Sequence, residues 1–370
     1  MAGARAIPLE SIKVSAYRVP TAEPESDATL EWDATTIVVV QMTAAGHTGL
    51  GYTYGPAAVA ALVHRELRDV LSGADASNVT ALWAAMTRAL RNAGRPGIGA
   101  MAISAVDIAL WDLKARILDV PLVVALDACH RAVPIYGSGG FTSYTDRQLA
   151  DQLSGWAEQG IGRVKMKIGR DPAADRARVT AARSAIGDDI ELMVDANGGY
   201  RRKQALAWAR WFGGMGVTWL EEPVSSDDLA GLRLLRDTGP PGMDIAAGEY
   251  GDALPYFRRM LEAGAVDCLQ ADVTRCGGIT GFLRAGALCD AHGLDLSAHC
   301  APQAALHACT AVWHLRHLEY FHDHVRIERM LFDGVREPTA TGTLEPDLTR
   351  PGLGLELKEA DAEPYLETAR

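Results

Sequence analysis

The chain has 370 residues, 48% of them hydrophobic and 22% charged, with a formal net charge of −11. That length exceeds one small core and suits a barrel plus a smaller second domain. The acidic balance argues against nucleic acid or an anionic membrane surface as the main partner, while lysines and a bound cation can still make one pocket attractive to an anionic small molecule.

Residues 1–20 lack an apolar core long enough for a signal peptide. No stretch reaches the roughly 18 uninterrupted apolar residues of a membrane span. The most apolar one, 100–118, is broken by Asp107, Asp112, Lys114 and Arg116. Cys129, Cys268, Cys276, Cys289, Cys300 and Cys309 form no CxxC pair. That spacing suits free thiols in a reducing cytoplasm, the expected location, rather than a disulfide framework.

Residues 1–130 read as an α+β domain. Strands are expected over 11–19 and 35–42, the second from its Ile37-Val38-Val39-Val40 run. Between them, 20–33 is polar and acidic with two prolines, which predicts a mobile loop. Residues 46–55 are Gly-rich, with a third strand possible there; they lack the spacing and the Lys-Ser/Thr of a phosphate loop. Helices follow over 57–71, 78–90 and 100–118. The last has apolar residues on most faces and should be buried, with Pro121 marking its end.

From 131 to 332 the texture is a repeat of apolar run, polar rim and helix. The runs are 133–136, 163–168, 190–194, 217–220, 244–247, 266–269, 294–298 and 318–321. Helix candidates between them are 146–159, 172–186, 201–212, 226–235, 253–262, 278–291 and 301–315. Such alternation predicts a (β/α)₈-type barrel. Over 333–370 regular signals fade, and this Gly- and Pro-containing segment is expected to pack back on the first domain.

The chemistry lies where the runs end, because parallel α/β barrels build their sites at the carboxyl ends of strands. Strand two ends Lys165-Met166-Lys167. Alternation puts both ammoniums on one face, where mutual repulsion and burial would lower one pKa and make a base. Strands three, four and five end at Asp195, Glu221 and Glu249, each about one β/α unit from the next. One such acid could merely cap a helix; three side by side call for a hard divalent cation, Mg²⁺ on oxygen-only ligands. Glu222 is ambiguous, with a lysine as its alternative partner. Strands six and seven end at Asp272 and His299, an acid placed to fix the imidazole tautomer. Glu319, on strand eight, is a candidate hydrogen-bond donor if protonated. His314, His317, His322 and His324 have no such place and are expected at the surface or in support. A carboxylate substrate at the cation would hold its α-carbon between the lysine and the histidine.

On these residues the chain resembles the enolase superfamily, in its mandelate racemase-like subgroup, over nearly its whole length. The resemblance implies a modified TIM barrel, (β/α)₇β, with an N-terminal α+β cap completed by the C-terminal segment. It implies Mg²⁺ on Asp195, Glu221 and Glu249, and catalytic roles for Lys165, Lys167, Asp272, His299 and Glu319. Lys167 would be one acid/base, Lys165 would contact the substrate carboxylate, and His299 would work from the opposite face. The Asp272–His299 dyad separates the chain from relatives resembling muconate lactonising enzymes, which usually carry a strand-six lysine. The activity implied is dehydration of an acid sugar to a 2-keto-3-deoxy acid, with racemisation or epimerisation of a 2-hydroxy acid as the alternative. A non-catalytic binding barrel and a Schiff-base aldolase using Lys167 are the readings from other classes. A homo-oligomer is implied as well, with a small-molecule carboxylate as partner. The particular acid, its stereochemistry and the roles of Trp32, Tyr52, Tyr54, Glu222, Arg275 and Cys300 stay open at this level.

Overall fold

A computed structural model describes residues 6–369; what the sequence implies for residues 1–5 and 370 lies outside them. The chain opens with three antiparallel strands, β1 (Ser11–Ser26), β2 (Glu31–Ala44) and β3 (His47–Tyr54). Ala45 and Gly46 turn β2 into β3 with φ of 50° and 77°, the double positive-φ conformation of a tight hairpin. The Ile37–Val40 run is apolar throughout because both faces are covered. Ile37 and Val39 join the core facing the barrel, while Val38 and Val40 pack beneath the cap helices.

The Gly-rich β3 serves packing, not phosphate binding. A Cβ on Gly49 or Gly51 would lie 2.3 Å from the Ala109 carbonyl or 2.2 Å from that of Ala105. Glycine there lets the long helix Ile98–Ile117 press directly on the sheet. Two of the charges that interrupt this helix, Asp107 and Asp112, are its fastenings. Asp107 accepts from the Thr280 amide (2.9 Å) and hydroxyl (2.7 Å), and Asp112 from the Leu50 (2.7 Å) and Leu353 (2.6 Å) amides.

The stretch expected to be a mobile loop is instead the tip of the β1–β2 hairpin. Pairing runs from Ser11↔Thr43 to Pro20↔Ala34, bulges, and resumes at Glu25↔Trp32. The two prolines fall inside the bulge or at its edge, where their missing N–H groups break no ladder. Asp27 closes the turn by accepting the Thr29 (2.6 Å) and Leu30 (2.7 Å) amides. The tip is docked on the barrel: the Thr142 amide donates to Ser26 O (2.8 Å), the Ser143 hydroxyl to Pro24 O (2.7 Å) and Arg326 to Pro20 O (2.8 Å).

The barrel strands are β4 (Val133–Gly139), β5 (Arg163–Lys167), β6 (Glu191–Asp195), β7 (Val217–Glu221), β8 (Asp244–Ala247), β9 (Cys268–Ala271), β10 (Asp295–Ala298) and β11 (Leu315–Phe321). Neighbours are parallel, and β11 pairs with β4 to close the ring. Tyr136, Met193, Trp219, Ala246 and Cys268 fill the interior as a separate apolar cluster. The helix after β10 is Pro302–Thr310, shorter than expected, because the chain turns at 311–314 to enter β11 at Leu315. The helix His322–Leu331, after β11, matches none of the segments whose periodicity predicts a helix. Beyond it, Thr343–Leu344 pairs with β4, and Leu366–Ala369 becomes the outer strand of the cap sheet against β1.

Candidate active site

Lys167, Asp195 and Glu221 are the last residues of β5, β6 and β7, and they stand in direct register across the sheet. Glu249 arrives differently, two residues past the end of β8. Gly248, at φ 136°, makes the turn that returns its side chain to the others. One oxygen from each of Asp195, Glu221 and Glu249 lies within 4.8 Å of the rest, and all three residues are buried. Among the described residues Glu221 Oε1 and Glu249 Oε2 have no hydrogen-bond partner. Buried carboxylate oxygens converging without donors fit a hard divalent cation such as Mg²⁺. Burial and the adjacent Asp195 charge push Glu221 up to about 7 despite Lys165, so the cluster resists full ionisation unaided.

The lysines are not a repelling pair with a lowered pKa, as their spacing suggests. Lys165 Nζ lies 2.6 Å from Glu221 Oε2 and 3.0 Å from Glu319 Oε1, and Lys167 Nζ 2.5 Å from Asp195 Oδ2. Burial disfavours both ammoniums, but the carboxylates outweigh it and raise both pKa values. Sequence spacing displays the two like charges; only the closed barrel brings the opposite ones across to them. Below, Lys165 Nζ sits 5.1 Å from the Tyr136 ring centre.

On the other side, His299 Nδ1 is 2.8 Å from Asp272 Oδ2. With Nδ1 carrying the proton to that carboxylate, Nε2 faces the site, 3.4 Å from Glu249 Oε2 and 3.6 Å from Glu319 Oε2. Burial lowers the imidazole pKa, but Glu249, Glu319 and Asp272 together raise it. Asp272 is held by the Thr274 amide and hydroxyl, each at 2.7 Å.

Glu319 is not a protonated donor. Burial alone would raise it, yet Lys165 and His299 hold it well below the usual carboxylate range, so it accepts from Lys165 and from the Cys300 amide (3.2 Å). Glu222 makes no ion pair with a lysine among the described residues. Its Oε1 is buried and unpartnered, and burial together with Glu249 raises its pKa well above normal.

Four of these groups, Lys167, Glu249, His299 and Glu319, face one cavity of about 480 Å³, within the range that holds small ligands. Lys167, Glu249, His299 and Glu319 line its floor, and the hairpin tip and Tyr54 its cap side. Trp32 and Tyr54 line it; Tyr52 lies behind, its hydroxyl 2.6 Å from Glu328 Oε1. Asn197, Tyr250, Arg275 and Cys300 also line it, and the sequence assigns none of them a role. Asn197 sits two residues past Asp195, a position that could have signalled it. Arg275 is held by Glu249 (3.3 Å) and Asp272 (3.5 Å), beside Tyr250. Cys300 places Sγ 3.3 Å from His299 Nε2, on a backbone with φ 50° followed by Ala301 at 45°.

His324, expected at the surface or in support, lines the cavity instead, stacked on Tyr54 at 3.4 Å between ring centres. Burial pushes it down to about 3. His317 is buried among Tyr136 and Trp219, His322 is half-buried and His314 is partly exposed. All six cysteines are free and only Cys129 is exposed. No helix among the described residues is long and apolar enough to cross a membrane.

Known proteins share this architecture. A mandelate racemase/muconate lactonizing enzyme-like protein from Rubrobacter xylanophilus is 59% identical, with a TM-score of 0.95 over 97% of this chain and 99% of its own. The 3,6-anhydro-alpha-L-galactonate cycloisomerase of Streptomyces coelicolor is 36% identical over 84% of this chain and 88% of its own. L-talarate/galactarate dehydratase from Salmonella typhimurium LT2, liganded with Mg and L-lyxarohydroxamate, is 29% identical, with a TM-score of 0.90 over 100% of this chain and 97% of its own. Residues 11–126 match the Mandelate racemase / muconate lactonizing enzyme N-terminal domain, and residues 148–361 match the Enolase C-terminal domain-like family. The chain therefore belongs to the mandelate racemase/muconate lactonizing enzyme family of the enolase superfamily.

Proposed function

We propose that this enzyme removes the α-proton of a hydroxycarboxylate with Mg²⁺ bound to Asp195, Glu221 and Glu249, and that the reaction is dehydration of an acid sugar to a 2-keto-3-deoxy acid. The observation that carries this reading is the flanking of one carboxylate triad by two acid/base groups. Lys167 touches the Asp195 side and the Asp272-held His299 the Glu249 side. The cation, when bound, offsets the carboxylate charge that holds the lysines protonated and stabilises negative charge building on the substrate carboxylate.

Lys165 donates to that carboxylate and is itself oriented by Glu319. Lys167, as a neutral amine, takes the proton from the α-carbon. The electron pair released there is held as an enolate on the substrate carboxylate, then forms the α–β double bond as the β-carbon–oxygen bond breaks. His299 supplies the proton from Nε2 with which the hydroxyl leaves as water, and the enol then takes a proton at the β-carbon and gives up its hydroxyl proton to become the ketone. Asp272 keeps Nδ1 occupied so that Nε2 faces the reacting side.

The 36% identical cycloisomerase favours a second reading, in which the same proton abstraction leads to ring rearrangement. A Mg²⁺-supplemented screen of mono- and diacid sugars, read with semicarbazide, separates them. Keto-deoxy products from open-chain acids support dehydration; the same products from cyclic acids alone support the cycloisomerase reading, because a ring oxygen on the β-carbon is then the leaving group. α-Proton exchange into D₂O without such a product moves the assignment to a racemase or epimerase. Absence of both across the library rejects α-proton chemistry on sugar acids.

A further inference from the structure

The cavity has two chemically different ends. Its floor carries Lys167, Glu249, His299 and Glu319, in contact with Asp195, Lys165 and Asp272 behind them. Its cap side is formed by Leu30, Trp32, Ala34, Tyr54, Pro56 and, from the barrel, Phe321. Among the described residues no unpaired cation faces this end. The cationic side chains that line the cavity are Lys167, bound to Asp195, and Arg275, bound to both Glu249 and Asp272.

His324 is neutral on geometric grounds. Its Nδ1 lies 3.2 Å from the Ala301 amide, which can only donate, so Nδ1 must accept and carries no proton. The one carboxylate that the cap adds to the lining is Asp27, whose Oδ1 is filled by the Thr29 and Leu30 amides. Arg170, Arg18 and Arg326, basic residues in the hairpin's hydrogen-bond network, are paired with Glu31 (2.7 Å), Asp33 (2.9 Å) and Asp323 (2.6 Å) and do not line the cavity.

We propose that the enzyme selects hydroxy acids bearing a single carboxylate, with the uncharged far end of the substrate lying against Leu30, Trp32 and Tyr54. The proposal rests on the reading of the floor as the site that holds the reacting carboxylate. A second carboxylate at the far end would lose water, meet no free cation and approach Asp27. Desolvating a charge without a partner is costly, and a like charge adds to the cost.

The experiment compares five- and six-carbon aldonates with aldarates of matching stereochemistry, D-gluconate with D-glucarate and D-galactonate with galactarate among them. Both kcat/KM and calorimetric binding to the Mg²⁺-loaded protein are measured. The best aldonate should exceed its aldarate by roughly a hundredfold, about 2.7 kcal/mol. Leu30→Arg, at a position 64% exposed and so tolerant of a longer side chain, should shrink that gap at least several-fold by adding a cation to the cap end.

An aldarate that reacts or binds as well as its aldonate overturns the proposal. A gap unchanged in Leu30→Arg overturns the placement of the far end. If neither series reacts, selective binding of aldonates supports this inference while the dehydratase reading fails; binding of neither series overturns it.

Discussion

Gly248 packs so closely on Gln270 that a Cβ added to it would lie 2.1 Å from the Gln270 carbonyl oxygen. This contact, with φ at 136°, is what returns Glu249 to the two acids on the preceding strands. Gly248→Ala must move backbone on β8 or β9 and should cost about 1–3 kcal/mol of stability. It should also weaken Mg²⁺ binding at least several-fold, because Glu249 moves with the turn. Thermal unfolding and calorimetric titration measure the two effects; unchanged Mg²⁺ affinity would remove this turn from the construction of the site.

Cation removal should lower the melting temperature. A ligand held only by the native state adds about 2.7 kcal/mol at a hundredfold excess over its Kd. Glu221→Gln deletes a charge but keeps the shape, so its melting temperature without Mg²⁺ should stay close to that of the parent or rise. Its gain on adding Mg²⁺ should shrink. An equal gain in both proteins would take Glu221 out of the ligand set.

Lys167→Ala and His299→Asn should each reduce dehydration by roughly 10²–10⁴-fold with little change in unfolding temperature. They should differ in the half-reaction. His299→Asn should retain exchange of the substrate α-proton with D₂O, and Lys167→Ala should lose it. The reverse result would exchange the two roles while leaving the two-base geometry intact.

Docking of the hairpin tip should depend on pH through Glu25. Burial and the Asp323 carboxylate raise this group to about 8, against the Trp32 N–H and Arg326, with Tyr144 as a further neighbour. A raised carboxyl pKa means that the docked form prefers the proton. Its contribution is complete below the ordinary carboxyl range near 4.5 and is lost as pH rises through about 8. The KM of the substrate identified by screening, and cleavage of the tip by protease, should both rise on the alkaline side. Glu25→Gln should flatten both profiles; an unaltered profile would assign the pH dependence elsewhere.

The rim is legible in the sequence because each of its acids ends an apolar run, and parallel strands turn such endings into one ring. Asp195, Glu221, Asp272 and His299 need little more than that. What escapes is decided by distant partners. The proline- and acid-rich tip looks like a loop until Thr142, Ser143 and Arg326 dock it. His324 is obscured because its helix, beginning His322-Asp323-His324, carries so many charges that its buried Val325, Ile327 and Leu331 do not stand out. The lysines mislead for the same reason: their neighbours in sequence are each other, and their neighbours in space are carboxylates.

The outer strand of the cap sheet pairs Ser15 with Ala369 and Ala16 with Thr368, residues that lie on either side of the whole barrel in sequence. On the ribosome, β1 therefore waits with one edge unpaired until the whole barrel has been made. Open strand edges recruit other chains, so the nascent protein is most exposed to misassembly during elongation, and the cap sheet, begun before the barrel, is completed only after it. Domains usually mature in the order of their synthesis; here the two halves of the molecule have to finish together.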